Sequence, residues 1–233
     1  MQDMMIAVCI AAILGALYGL YKRMTIRSTI ANDQKRVRRS IDELFDKLHA
    51  GLQRDTFRSF RLTEKAVQEI VADNFNANSI HRIVMSIMRY LGIPNERLIV
   101  CIRIDEDESF FNSSGPAGLY ISGYRSSEIS IMLKQSYTLY EIMAIICHEC
   151  THHYLRLRRV KCDDTQMNEI LTDIAAIYLG FGYYILEGYT PRYQETADGY
   201  QTARLGYINA GEIEHVKERI NRLRKDTIRK SAV

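Results

Sequence analysis

Residues 148–152 read His-Glu-Cys-Thr-His, an H-E-x-x-H pattern inside the run YEIMAIICHECTHHYLRLRR. On a helix, positions four apart lie about 40° apart around the axis and one turn apart along it. His148 and His152 therefore project side by side, and two imidazoles so placed can share one tetrahedral metal ion, zinc by ligand type. Glu149 sits about 100° from His148 around the same axis. It misses the metal but reaches a water beside it, which is where a general base belongs.

The motif is preceded by Ile142, Met143, Ile145 and Ile146, so its helix is apolar and buried. A further ligand candidate follows in Asn168-Glu169-Ile170-Leu171-Thr172-Asp173, which opens a second helix running through AAIYLGFGYYIL. With H-E-x-x-H followed by N-E-x-x-T-D, the stretch from about Ile142 to Leu186 resembles the gluzincin group of metallopeptidases, thermolysin-like in its motifs. The resemblance implies that Glu169 is the third zinc ligand. It also implies that Asp173 holds His148 through the ring nitrogen facing away from the metal. The gap from His152 to Glu169 is short, and too little chain follows Asp173 for a large second lobe, so the resemblance is to a minimal version.

Other arrangements fit less well. A metzincin needs Gly at 155 and His at 158, where this chain has Leu155 and Arg158. His153 is turned about 100° from His152 and reads as a structural residue. An intramembrane protease is disfavoured by Glu141 and by Arg156, Arg158 and Arg159 on the motif helix. Asp163 and Asp164 read as solvated turn residues. Cys147 and Cys150 form a C-x-x-C, but inside a helical pattern they read as packed thiols.

The elements that must position this chemistry can be read around it. Thr63 precedes a helical pattern through Val67 and Ile70. A second helix is expected from about Ser79 to Leu91, capped by Asn78 and ended by Gly92 and Pro94. Leu98–Ile104, Leu119–Tyr124 and Glu128–Leu133 read as strands, the last with clean alternation and hence one wet face. Asp105–Gly118 reads as a loop. From Gly211 onward, Ile213, Val216, Ile220 and Leu223 form the apolar stripe of a final basic helix. Between these lie Tyr189, Tyr193, Tyr200 and Tyr207; with His215 they are candidates to stabilise an oxyanion, and nothing in the pattern chooses among them.

The N-terminal segment differs in kind. Residues 4–21, MMIAVCIAAILGALYGLY, carry no charge, and a helix of that length, roughly 27 Å, just crosses a bilayer core. Lys22, Arg23, Arg27 and further basic residues follow it, so the positive-inside rule puts the bulk of the chain in the cytoplasm. Val37, Ile41, Leu44, Phe45, Leu48 and Leu52 recur at helical spacing and suggest a basic amphipathic stalk over 22–60. The remaining 61–233 is expected to be one α+β zincin-like domain, with two metal-holding helices and a small, mostly antiparallel sheet.

Five cysteines without framework spacing fit a reducing compartment. A net charge of +3 gives no reason to expect nucleic acid as a partner. The expected function is a membrane-anchored zinc peptidase acting on a peptide or protein substrate. The alternative is a catalytically silent, membrane-anchored interaction protein with a structural zinc site. Glu149 argues against the alternative, since a purely structural site needs no base.

Overall fold

A computed structural model describes residues 37–52, 57–73, 75–93, 98–105, 117–123, 126–196 and 199–231. The expected membrane anchor at 4–21 lies outside these. The chain divides into two compact units, Met1–Glu43 and Leu44–Val233. Of the first, only 37–43 is described, as the start of helix α1 (37–52). In the larger unit the rest of α1 belongs to the core: Leu44, Phe45 and Leu48 are buried. Phe45 meets the Tyr178 ring edge-on at 5.8 Å, and His49 Nδ1 lies 2.8 Å from the Tyr178 hydroxyl. The compact unit thus begins well before Arg61.

Helices α2 (Glu64–Ala72) and α3 (Ala77–Leu91) follow. Thr63 caps α2 as expected, accepting the Ala66 N–H at 3.2 Å. The cap of α3 is Asn76 rather than Asn78, because its Oδ1 accepts the Ser79 N–H at 3.0 Å and Ser79 is itself buried against Asp73. Gly92 ends α3 in the left-handed region, φ +65°, where glycine has no Cβ penalty.

Strands β1 (Leu98–Asp105), β2 (Gly118–Ser122) and β3 (Ser127–Lys134) form one sheet in the order β1-β3-β2. β2 pairs antiparallel with β3, but β1 pairs parallel with it, Leu98 opposite Ser127 and Ile104 opposite Leu133. The sheet is therefore mixed, because the chain leaves β1 and returns to the far side of β3 before turning back. Ile129, Ile131 and Leu133 are buried while Ser130 and Met132 are half-exposed, the alternation expected of β3. A separate antiparallel hairpin, β4 (Arg192–Thr196) and β5 (Gly199–Ala203), has no counterpart among the expected strands. Most of its side chains are exposed on both faces, so no period of buried residues marked it.

Helix α4 (Leu139–Arg158) starts in a capping box: Thr138 Oγ1 accepts the Glu141 N–H at 3.3 Å, and Glu141 accepts the Thr138 N–H at 2.7 Å. Arg192 also clasps the buried Glu141 carboxylate through Nε, 2.7 Å, and through Nη2. The start of the hairpin is thereby tied to the start of α4. Asp164 is more than a solvated turn residue: it caps α5 (Thr165–Ala176), accepting the Met167 N–H at 2.7 Å.

The helical path continues from α5 through a π turn (Ile177–Phe181) into α6 (Gly182–Gly188). At Gly180 φ is +106°, and a Cβ there would collide with the Arg58 carbonyl oxygen and lie 2.5 Å from the Tyr90 hydroxyl. Gly188 allows close packing against α4, since a Cβ would come within 2.5 Å of Ala144 Cβ. Thr165–Gly188 is long and apolar enough to cross a membrane, yet 72% of its apolar 18-residue window is buried inside the fold, as in the core helix of a globular domain. Helix α7 (Ala210–Ser231) closes the unit, burying Ile213, Val216 and Ile220.

Candidate metal centre

The capping box and the Arg192 clasp fix α4, and the Asp164 cap fixes α5. Between them His148, His152 and Glu169 turn toward one point. His148 Nε2 lies 3.0 Å from His152 Nε2 and 3.0 Å from Glu169 Oε2, and His152 Nε2 lies 3.1 Å from the same oxygen. A tetrahedral centre with bonds of about 2.0–2.1 Å places its ligand atoms about 3.3 Å apart. The observed edges fall short of that by only about 0.3 Å, so the donor set fits a metal ion.

The far ring nitrogens show how the near ones are prepared. His148 Nδ1 lies 2.7 Å from Asp173 Oδ1, so the ring donates there and turns the Nε2 lone pair to the centre. Thr172 Oγ1 donates to the Asn168 carbonyl at 2.8 Å, which leaves it to accept from His152 Nδ1 at 3.2 Å. His152 Nε2 is thereby also a lone-pair donor. Three basic atoms facing one another call for a positive charge. Burial lowers the His148 pKa, but the charge and hydrogen bond of Asp173, with Glu169 and Glu149 beside it, push it up to about 10. Burial raises the Glu169 pKa, but the two histidines beside it bring it down to about 2. A proton meets in part the demand that a cation at the centre would meet fully.

Asp173 is fully buried and is the hub of this support. Besides His148 it accepts the Tyr189 hydroxyl at 2.6 Å and the Tyr207 N–H at 2.8 Å. Gly206, at φ +75°, lies so close to the Tyr189 ring that no side chain fits between them. Tyr189 and Tyr207 thus return to α4 and α5 to hold the residue that orients His148.

Among the known proteins compared, no protein-family model, curated protein or solved structure matches this chain.

The group opens into a cleft of about 480 Å³, lined by residues of β2 and by Arg204–Tyr207. Glu149 lines it and is buried; its Oε2 has no hydrogen-bond partner among the described residues. Burial raises the pKa of this carboxyl, against the pull of the two histidines. Gly118 of β2 makes room for it, since a Cβ there would lie 2.7 Å from Glu149 Cγ. Tyr120 stacks on the His152 ring, planes 4° apart and centroids 6.0 Å apart. Tyr207 stacks on His148 at 5.9 Å.

Of the expected oxyanion candidates, Tyr189 reaches the cleft wall but its hydroxyl is engaged by Asp173. Tyr193 and Tyr200 are 71% and 76% exposed on the hairpin and do not line the cleft. His215 lies on α7, also outside the lining. Tyr207 remains. His153 is buried, 3.3 Å from the Tyr120 hydroxyl, as a structural residue would be. Cys147 and Cys150 are buried free thiols, and burial raises both pKa values. Gly118 and Tyr120 carried no sequence signal, because a strand edge gains its place only through the tertiary fold.

Proposed function

We propose that the chain is a zinc-dependent peptidase of the gluzincin type, built on a minimal zincin-like domain. The observation that carries this reading is Glu149: a buried carboxylate with an unpartnered oxygen, facing the cleft beside three convergent ligand atoms. A structural metal site gains nothing from such a group, since its burial costs stability without a compensating bond. The silent interaction protein is the weaker reading for that reason.

His148, His152 and Glu169 would hold the ion. When bound, zinc supplies Lewis acidity, polarising a scissile carbonyl and acidifying a water molecule. Glu149 takes the proton of that water and passes it to the departing amine. Burial raises its pKa, which makes it a stronger base than an exposed glutamate. Tyr207, which lines the cleft and whose hydroxyl takes part in none of the described hydrogen bonds, is the candidate donor to the developing oxyanion.

A peptide substrate is favoured by the wall itself. β2 has β3 on one side only and no strand beyond it among the described residues. An extended peptide can add to that edge through main-chain hydrogen bonds, next to the ligand group. The charge pattern around 4–21 supports a single-pass anchor with this domain on the cytoplasmic side, and the free cysteines agree.

The test is metal analysis of the purified chain beside Glu169→Ala, followed by incubation of both with an unbiased peptide mixture. One zinc per chain, lost in the variant together with cleavage, is the expected result. A wild type that holds zinc but leaves every peptide intact would overturn the peptidase reading.

A further inference from the structure

A second cavity lies beside the π turn, lined in part by Ile177 and Gly180. It shares no lining residue with the metal cleft and measures about 190 Å³. That is below the ~300–1,000 Å³ of sites for drug-sized molecules, so it suits a small group. Arg61, Lys217 and Arg224 line it, and no carboxylate does.

The three cations are held in different ways. The Arg61 guanidinium lies 3.2 Å over the Tyr183 ring, a stacking that fixes its position at the cavity wall. Arg224 donates from Nη2 to the Phe57 carbonyl at 3.0 Å, while its Nε is buried with no acceptor among the described residues. Lys217 reaches Glu214 at 2.6 Å, but a half-exposed pair one turn apart is weak and leaves the ammonium shareable. Ser59 and Asn221 add neutral donors to the same lining.

We propose that this cavity binds a phosphate group. Three cationic side chains around one small cavity, with no carboxylate in its lining, match several charged oxygens on one centre better than they match a single carboxylate. The geometry does not depend on metal at His148, His152 and Glu169, so the site stands or falls apart from the peptidase reading. The phosphate can be free or can belong to a lipid headgroup, and the two sources are separable.

The experiment uses the full chain in detergent, titrated calorimetrically with inorganic phosphate, and floated with phosphatidylcholine vesicles with and without phosphatidic acid. Glu169→Ala is included to exclude phosphate bound at the metal. Arg61→Gln and Lys217→Gln change exposed or half-exposed side chains and leave the Arg224–Phe57 tie intact. Saturable phosphate binding is expected in wild type and in Glu169→Ala alike. It should weaken about tenfold in each of the other variants, the scale of one charge-assisted hydrogen bond. If the source is lipid, phosphatidic acid strengthens flotation and Arg61→Gln removes that gain; if it is free phosphate, the calorimetric arm alone responds. No binding in either arm, or binding indifferent to both substitutions, would overturn the proposal.

Discussion

The two halves of Thr165–Gly188 are built on opposite terms. In α5 it is side chains that are fixed. Asn168 accepts the Cys162 N–H at 3.0 Å, Thr172 bridges His152 to the backbone, and Asp173 gathers three donors. Beyond Ala176 it is the backbone that is fixed. The Gly180 carbonyl accepts the Phe60 N–H at 3.1 Å, and the Tyr90 hydroxyl lies 2.7 Å from the Arg58 carbonyl and 2.9 Å from that of Leu179. One half sets the direction of ligand atoms; the other clamps the 57–62 strap to the core. Substitutions in the first half should therefore change chemistry at nearly constant fold, and those in the second should change fold at nearly constant chemistry.

The largest effect is expected in the second half. Gly180→Ala needs a backbone angle that alanine disfavours, and its Cβ meets the Arg58 carbonyl. Strain and overpacking together should cost about 3 kcal/mol or more, lowering Tm by roughly 6–12 °C for a domain this size. Thermal melts read the effect, and metal content measured well below the transition should be unchanged. An unaltered Tm would erase the contrast between the halves.

Next is Glu149→Gln, which probes the site that the first half serves. Hydrolysis should fall by at least about a hundredfold, the scale of general-base catalysis. Metal content and Tm should hold, because a neutral amide replaces a carboxylate whose charge burial already disfavours. Full activity in the purified variant would remove Glu149 from the mechanism.

Asp173→Ala ranks third. Metal affinity should drop by about 10–100-fold with all three ligands still present, as measured by competition with a chelator. Unchanged affinity would mean that packing alone orients His148.

How far the sequence made this visible depends on whether the signal was local. His148, Glu149 and His152 are one helical turn of one motif, so periodicity alone brought them together. Glu169 and Asp173 lie on a second helix, and only the resemblance connected them to the first. The structure brings Glu169 within 3.1 Å of both histidines and Asp173 within 2.7 Å of His148. Gly118, Tyr120 and Tyr207 come from a strand edge and a loop distant in sequence, where no spacing rule applies. Among the elements, β3 was legible from its alternating buried face, and α4 from a long apolar run, buried nearly all round, that carries the motif. The β4–β5 hairpin has none, and the parallel pairing of β1 with β3 is a property of topology rather than of either strand's composition.

The smallest effect, and the sharpest test of the first half, is expected from Tyr189→Phe. The substitution removes one oxygen and keeps the ring that packs against Gly206. Asp173 then loses one of its three partners but keeps His148 and the Tyr207 N–H. Acting through Asp173 rather than on a ligand, the change should weaken metal binding by about threefold, under the tenfold lower bound for losing the orienting carboxylate itself. The decisive measurement is the double variant. If Tyr189 works only through Asp173, adding Tyr189→Phe to Asp173→Ala should change metal affinity no further, so the two effects are not additive. An additive threefold loss in the double variant would show that Tyr189 supports the centre by another route. It would then count as part of the cleft wall rather than of the chain of contacts running from Tyr189 through Asp173 to His148.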